Sequence, residues 1–145
     1  MTDPGRNVRR RGLARRVLAR RAGPAVDATA VAAAASRAYD DLAGVLAPVI
    51  GDGGVAAMTD RALHLTTREY AWLAARAPGP ASATFTHVID ALKQQDDPAV
   101  AVEAAAAVLA AIIELLATFI GEPLAARLVQ QAWPDALSSA DTVET

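Results

Sequence analysis

The stretch Asp97–Gly121, DPAVAVEAAAAVLAAIIELLATFIG, decides how this chain of 145 residues folds. Asp97 suits the cap of a helix, because its carboxylate accepts from free backbone N–H groups, and Pro98 suits the first helical position, where its missing N–H costs nothing. Gly121 and Pro123 bend or end a helix. The stretch therefore predicts a helix over residues 98–120 that is apolar almost all round, and such a helix is buried in a core or in a membrane.

Two carboxylates help to choose between core and membrane. Glu103 and Glu114 lie 11 residues apart, and 11 steps of about 100° bring them to within roughly 20° of each other on one helical face. A narrow polar stripe on an apolar helix favours the centre of a bundle with one edge reaching water. No secretory signal is visible, because arginines interrupt the apolar residues near the start of the chain. We therefore expect a cytoplasmic protein rather than a membrane protein.

Helical spacing of apolar residues continues on both sides of this stretch. Apolar residues make up 53% of the chain, alanine dominates them, and alanine is the best helix former. Pro48 should kink the first bundle helix, and Gly51–Gly54 reads as a tight loop. The predicted helices span 28–50, 55–76, a short segment capped by Ser82, 98–120 and 124–133. The sequence thus predicts an all-α domain over 27–134, an antiparallel four- to five-helix bundle with a central, nearly all-apolar helix, followed by a polar tail over 135–145.

Residues 1–26 read as a basic arm. Residues 1–21 carry eight arginines against one acidic residue, whereas the rest of the chain is acidic. The arginines leave no clean apolar face, so we expect the arm to be disordered or only loosely helical. It could bind nucleic acid by neutralising phosphates, fold back onto the acidic body, or result from a misassigned start site. The arginines assigned to an anion site are Arg9, Arg10, Arg11, Arg15, Arg16, Arg20 and Arg21.

A second candidate site is a polar cluster on otherwise apolar helices. It consists of Asp60, His64, Arg68 and Glu114, with Arg68 and Glu114 as partners in an ion pair across the core. Asp60 with His64, and His87 with Asp90, each share a helical face, and two such pairs could hold a metal ion. Because the Glu-x-x-His order of di-iron bundles is absent, we predict no metal and no cofactor.

No pattern in the chain predicts catalysis. The absence of cysteine excludes disulfides, thiolate metal sites and a cysteine nucleophile. The glycines at 51–54 lack the Gly-Lys-Ser/Thr of a phosphate loop, and no Gly-x-Ser-x-Gly elbow is present. We therefore expect a small non-enzymatic bundle protein, bacterial by its residue usage, that acts through protein–protein interaction or self-association.

Three alternatives follow from the same residues. A long apolar helix needs cover on nearly every side, and a second copy of the chain could supply it as a homodimer. Nucleic-acid binding through the arm and a small-ligand or metal site within the bundle are the other two classes. The sequence alone does not distinguish among these three alternatives.

Overall fold

A computed structural model describes residues 4–22, 27–73 and 81–134. Within these ranges the chain is helical and contains no strand, which confirms the all-α prediction. The predicted polar tail at 135–145 lies outside the described residues. The described helices are α1 (Pro4–Ala22), α2 (Ala28–Thr66), α3 (Ala81–Lys93), α4 (Pro98–Ile120) and α5 (Glu122–Ala132), with a short 3-10 helix at Ala71–Leu73 between α2 and α3.

α4 has the bounds that its end residues predict. The side chain of Asp97 accepts a hydrogen bond from the backbone N–H of Ala99 at 2.9 Å, and Pro98 is the first helical residue. The helix ends at Gly121, whose φ of 94° is a conformation that other residues rarely adopt. α4 contacts α1, α2, α3 and α5, and more than half of its residues are buried.

α2 breaks where the sequence predicts, directly after residue 50, but the predicted loop of four residues is reduced to one. The helix continues through residues 52–54, and only Gly51, with φ 79° and ψ 163°, leaves the helical conformation. Pro48, which cannot donate a backbone hydrogen bond, precedes this bend by less than one turn. α2 therefore consists of two limbs, a first limb over 28–50 and a second limb over 52–66.

The second limb ends ten residues earlier than the predicted end at Arg76. The Thr66 hydroxyl donates to the carbonyl of Ala62 and the Thr67 hydroxyl donates to the carbonyl of His64, both at 2.7 Å. Hydroxyl groups that bond to backbone carbonyls compete with continued helix. A turn and the 3-10 helix follow, and residues 74–76 lie outside the described part of the chain.

The bend in α2 predicts opposite effects for two glycine substitutions on the same helix. Gly51→Ala should destabilise the fold by about 1–3 kcal/mol, because the conformation of Gly51 is nearly exclusive to glycine. Gly44→Ala should stabilise it by about 0.5–1 kcal/mol, because Gly44 is an interior helical residue and an added Cβ meets nothing within 4 Å. Urea unfolding of both variants measures the difference, and equal effects would contradict the bend.

α1 replaces the predicted disordered or loosely helical arm. Residues 4–22 form a continuous helix that packs against α4 and α2. Its buried apolar side chains are Leu13, Ala14, Val17 and Leu18. This stripe is narrow, and four arginines beside it form ion pairs with carboxylates elsewhere in the chain.

Trp133 joins the end of α5 to α2. Its indole ring is fully buried, and Nε1 donates to the carbonyl of Ala38 at 3.1 Å. The buried core contains residues from every helix and is rich in alanine. Small side chains let the helix backbones approach closely, so the large Trp133 fills space that the alanines do not.

Two helices pass a length and composition test for membrane spans. They are α2 and α4, with mean hydropathies of 1.5 and 2.2 over their most apolar windows. Burial inside the protein differs between the two windows, at 28% for α2 and 61% for α4. Core helices of water-exposed domains pass the same test, so length and composition leave the choice open.

Candidate functional site

An open groove lies on the inside of the bend in α2. It has a volume of about 810 Å³, within the range of about 300–1,000 Å³ that is usual for binding clefts. Its walls come from both limbs of α2 and from α3, and we call it the kink groove. The lining residues are Ser36, Tyr39, Asp40, Ala43, Gly44, Ala47, Asp52, Gly53, Val55, Ala56, Phe85, Thr86 and Ile89.

The first limb presents small residues to the groove. Ala43, Gly44 and Ala47 follow one another at helical spacing along this wall. A Cβ placed on Gly44 would have no heavy atom within 4 Å, so the backbone here is open to a neighbour. Small residues at such positions allow a second helix to come close to the first.

The floor of the groove is a buried aromatic pair. The rings of Tyr39 and Phe85 stack with centroids 4.0 Å apart and planes 9° from parallel. The Tyr39 hydroxyl is hydrogen-bonded to the Thr59 hydroxyl at 2.8 Å, and Thr59 also donates to the carbonyl of Val55. The bond between Tyr39 and Thr59 joins the two limbs across the bend and holds the shape of the groove.

The described lining of the groove carries negative charge and no cationic residue. Asp40 and Asp52 line it, and no Lys, Arg or His stands among its described lining residues. Burial raises the pKa of the Tyr39 phenol, so this hydroxyl is protonated at neutral pH. The described lining therefore offers a ligand two carboxylates, hydroxyl groups and an aromatic floor.

The predicted polar cluster is not assembled around one point. His64 and Arg68 are exposed on the second limb and in the turn that follows it. Glu114 instead lies beside α1, with its carboxylate 3.9 Å from the guanidinium of Arg10. The proposed pair of Arg68 with Glu114 is absent from the ion pairs of the described residues, because the polar stripe of α4 is covered by α1.

The histidine pairs do not form a metal site. Nε2 of His87 lies 3.1 Å from the carbonyl oxygen of Leu73, while His64 faces solvent. In the part of the chain that the structure describes, no group of three or more histidine, aspartate or glutamate side chains is placed to hold a metal ion.

Four of the seven arginines assigned to the anion site are held by carboxylates of the same chain. We call this set of ion pairs the arginine clamp. Hydrogen bonds from Arg11 lower the pKa of the Glu69 carboxyl, as expected for a charge-assisted pair. The clamp pairs are Arg10 with Glu122 at 2.6 Å, Arg11 with Glu69 at 2.7 Å, Arg15 with Glu103 at 2.7 Å and Arg21 with Asp41 at 2.6 Å.

The clamp determines how α1 lies on α4. Arg15 pairs with Glu103 near the start of α4, whereas Arg10 pairs with Glu122 just beyond its end and lies near Glu114. α1 therefore runs antiparallel to α4 along its polar stripe. Of the alternatives for the arm, the structure shows the one in which it folds back onto the acidic body.

The other three arginines of the set form a line on the outside of α1. Arg9, Arg16 and Arg20 are exposed, and no ion pair joins them to a described carboxylate. At about 100° per residue the three lie within roughly 40° of one another on the helix. We call this line the outer arginine stripe.

Sequence reasoning missed the kink groove. It placed Asp40 and Gly44 away from the core face, without a role, and assigned Asp52 and Gly53 to a loop. A usable signal was present, namely the small residues from Ala43 to Ala47 directly before Pro48 and Gly51. Small side chains cover little of the helix backbone. When they lie directly before a bend, they indicate an open surface there.

No known protein family, curated protein or solved structure matches this chain.

Proposed function

We propose that the protein is a non-enzymatic helical bundle, arranged around α4, that binds a helical segment of a protein chain in the kink groove. The observation that carries this proposal is the groove itself. It combines a wall of small residues, a rigid aromatic floor and two carboxylates. A helix laid against Gly44 would bury apolar surface on Ala43 and Ala47, which are only partly buried in the free protein, and such burial is the usual source of affinity in helix-in-groove recognition.

The burial of α4 within one chain affects the argument for the homodimer that the sequence suggested. α1, α2 and α5 of the same chain bury most of α4, and α1 covers its polar stripe. A second copy is therefore not required to cover α4. Any self-association has to use another surface, and the kink groove is the candidate. We place the protein in the cytoplasm on the sequence argument alone.

Nucleic-acid binding through α1 is the second candidate function. The observation that favours it is the outer arginine stripe, whose three guanidinium groups face solvent. The clamp weakens it, because four of the seven arginines already neutralise carboxylates. With about three phosphate contacts, affinity would be modest and strongly dependent on salt.

Photo-crosslinking from the rim of the groove tests the main proposal. Gly53 is exposed, lines the groove and leaves room for a larger side chain. We expect p-benzoylphenylalanine at position 53 to give one discrete protein-sized adduct in cells that naturally produce the protein. Mass spectrometry then identifies the attached chain, and mixing the purified partners should reproduce the adduct.

Two controls make this experiment specific to the groove. The same probe at Arg127, an exposed residue of α5 that does not line the groove, should give no such adduct. Adding Gly44→Leu, whose Cβ would meet no heavy atom within 4 Å in the free protein, should fill part of the groove and remove the adduct from position 53. An adduct that survives Gly44→Leu, or no protein adduct at all, overturns the proposal.

A further inference from the structure

We propose that the segment bound in the kink groove is α1 of a second copy of this chain, so that two chains pair with the outer arginine stripe of each in the groove of the other. This inference rests on the proposed function, because it names the partner of the same groove. It is drawn from the chemistry of two surfaces of the described chain.

The groove selects an occupant that is both small and basic. Its carboxylates, Asp40 and Asp52, require positive charge, and its wall at Gly44 requires side chains that allow close approach. The outer face of α1 has both properties. Gly12 and Ala19 flank the stripe, about 60° and 80° round the helix from its middle at about 100° per residue.

The charges on the two surfaces have similar spacing. Arg9 and Arg20 are 11 residues apart, or about 16 Å along a helix that rises 1.5 Å per residue. Asp40 and Asp52 are 12 residues apart on α2, on the order of 18 Å by the same rise. The two ends of the stripe can therefore meet the two carboxylates at once.

The two surfaces are neighbours on one side of the molecule. A shallow depression lined by Arg20, Arg21, Arg37, Asp40 and Asp41 lies between them. Arg20 belongs to the outer arginine stripe and Asp40 to the kink groove, so the depression connects the basic surface to the acidic one. When two copies are related by a two-fold rotation, the basic stripe of each copy meets the acidic groove of the other. Symmetric dimers need this kind of self-complementary surface.

The ion pairs would fix how α1 of one chain is aligned in the groove of the other, and they would contribute little to the affinity of the dimer. Exposed pairs contribute little each and are screened by salt. Affinity has to come from apolar contacts of Ala43, Gly44 and Ala47 with the α1 backbone. We therefore expect a dimer that forms at micromolar concentration and weakens as salt is raised.

A charge-reversal pair tests this arrangement. One variant carries Arg16→Glu and Arg20→Glu, which makes both surfaces acidic, and the other carries Asp40→Arg and Asp52→Arg, which makes the groove basic. We expect the wild-type chain to sediment as a dimer at low salt, and each variant alone to dimerise at least about tenfold more weakly. An equimolar mixture of the two variants should recover a one-to-one dimer, because opposite charges then meet.

The control variant carries Arg61→Glu and Arg127→Glu, which changes net charge as much as the stripe variant at exposed sites outside both surfaces. It should dimerise like the wild type, and circular dichroism should show equal helix content in every variant. A monomeric wild type, variants that still dimerise, or a mixture that stays monomeric overturns the inference. If photo-crosslinking from Gly53 then reaches a different protein, the groove keeps its proposed function and only the second copy is rejected.

Discussion

Trp133→Ala should lower the free energy of unfolding by about 3–5 kcal/mol, the usual range for removing a buried aromatic ring from a core. The ring has no exposed surface, and its Nε1 donates to a carbonyl of α2, 95 residues away along the chain. Urea unfolding followed by circular dichroism measures the loss.

A matched substitution separates burial from ring chemistry. Trp72 is only partly buried and packs edge-on against Tyr70 at a centroid distance of 6.3 Å. Trp72→Ala should therefore cost clearly less than Trp133→Ala, and Trp133→Phe, which keeps most of the volume, should fall between them. Equal losses for the two alanine variants would show that Trp133 does not join α5 to α2 as described.

Leu18→Ala should destabilise the protein by about 2–5 kcal/mol, as for other buried leucines. Leu18 is 2% exposed on the face of α1 that packs against the rest of the protein. A disordered arm would give no change in stability from the same substitution. Chemical unfolding of this variant thus decides between a folded α1 and the arm that the sequence suggested.

Arg16→Ala is the control for α1, because it lies two residues away on the exposed side of the same helix. Exposed substitutions of this kind change stability by about 0.5 kcal/mol or less. If both variants leave the unfolding midpoint where it is in the wild type, α1 does not contribute to the fold. If only Leu18→Ala moves it, the buried stripe holds α1 in place and the outer stripe remains available for binding.

The arginine clamp explains why the arm was misjudged. Judged by its charges alone, α1 has arginines in nearly every direction and too few apolar residues for a stable helix in water. Its partners are carboxylates far away in sequence, such as Glu103, 88 residues from Arg15, and Glu122, 112 residues from Arg10. Once an arginine is paired with a carboxylate, its charge no longer indicates a disordered segment. The local sequence of α1 does not show that these distant carboxylates will pack beside it.

The same contacts give a role to the polar stripe of α4. Glu103 and Glu114 were expected to reach water at one edge of a bundle. In the folded chain they face α1, and each has an arginine of that helix within 4.0 Å. The periodicity placed the two carboxylates on one face, and the packing decided that a basic helix covers it.

The local sequence by itself determines which segments are helical and where those helices begin and end. Asp97, Pro98 and Gly121 act within about one turn of their own positions, so the bounds of α4 and the all-α class follow from local chemistry. The state of α1, the partner of Glu114 and the kink groove follow only from packing. Each depends on groups that lie tens of residues apart and meet only when the helices pack, and hydrophobic spacing shows which face a helix buries but not which helix will cover it.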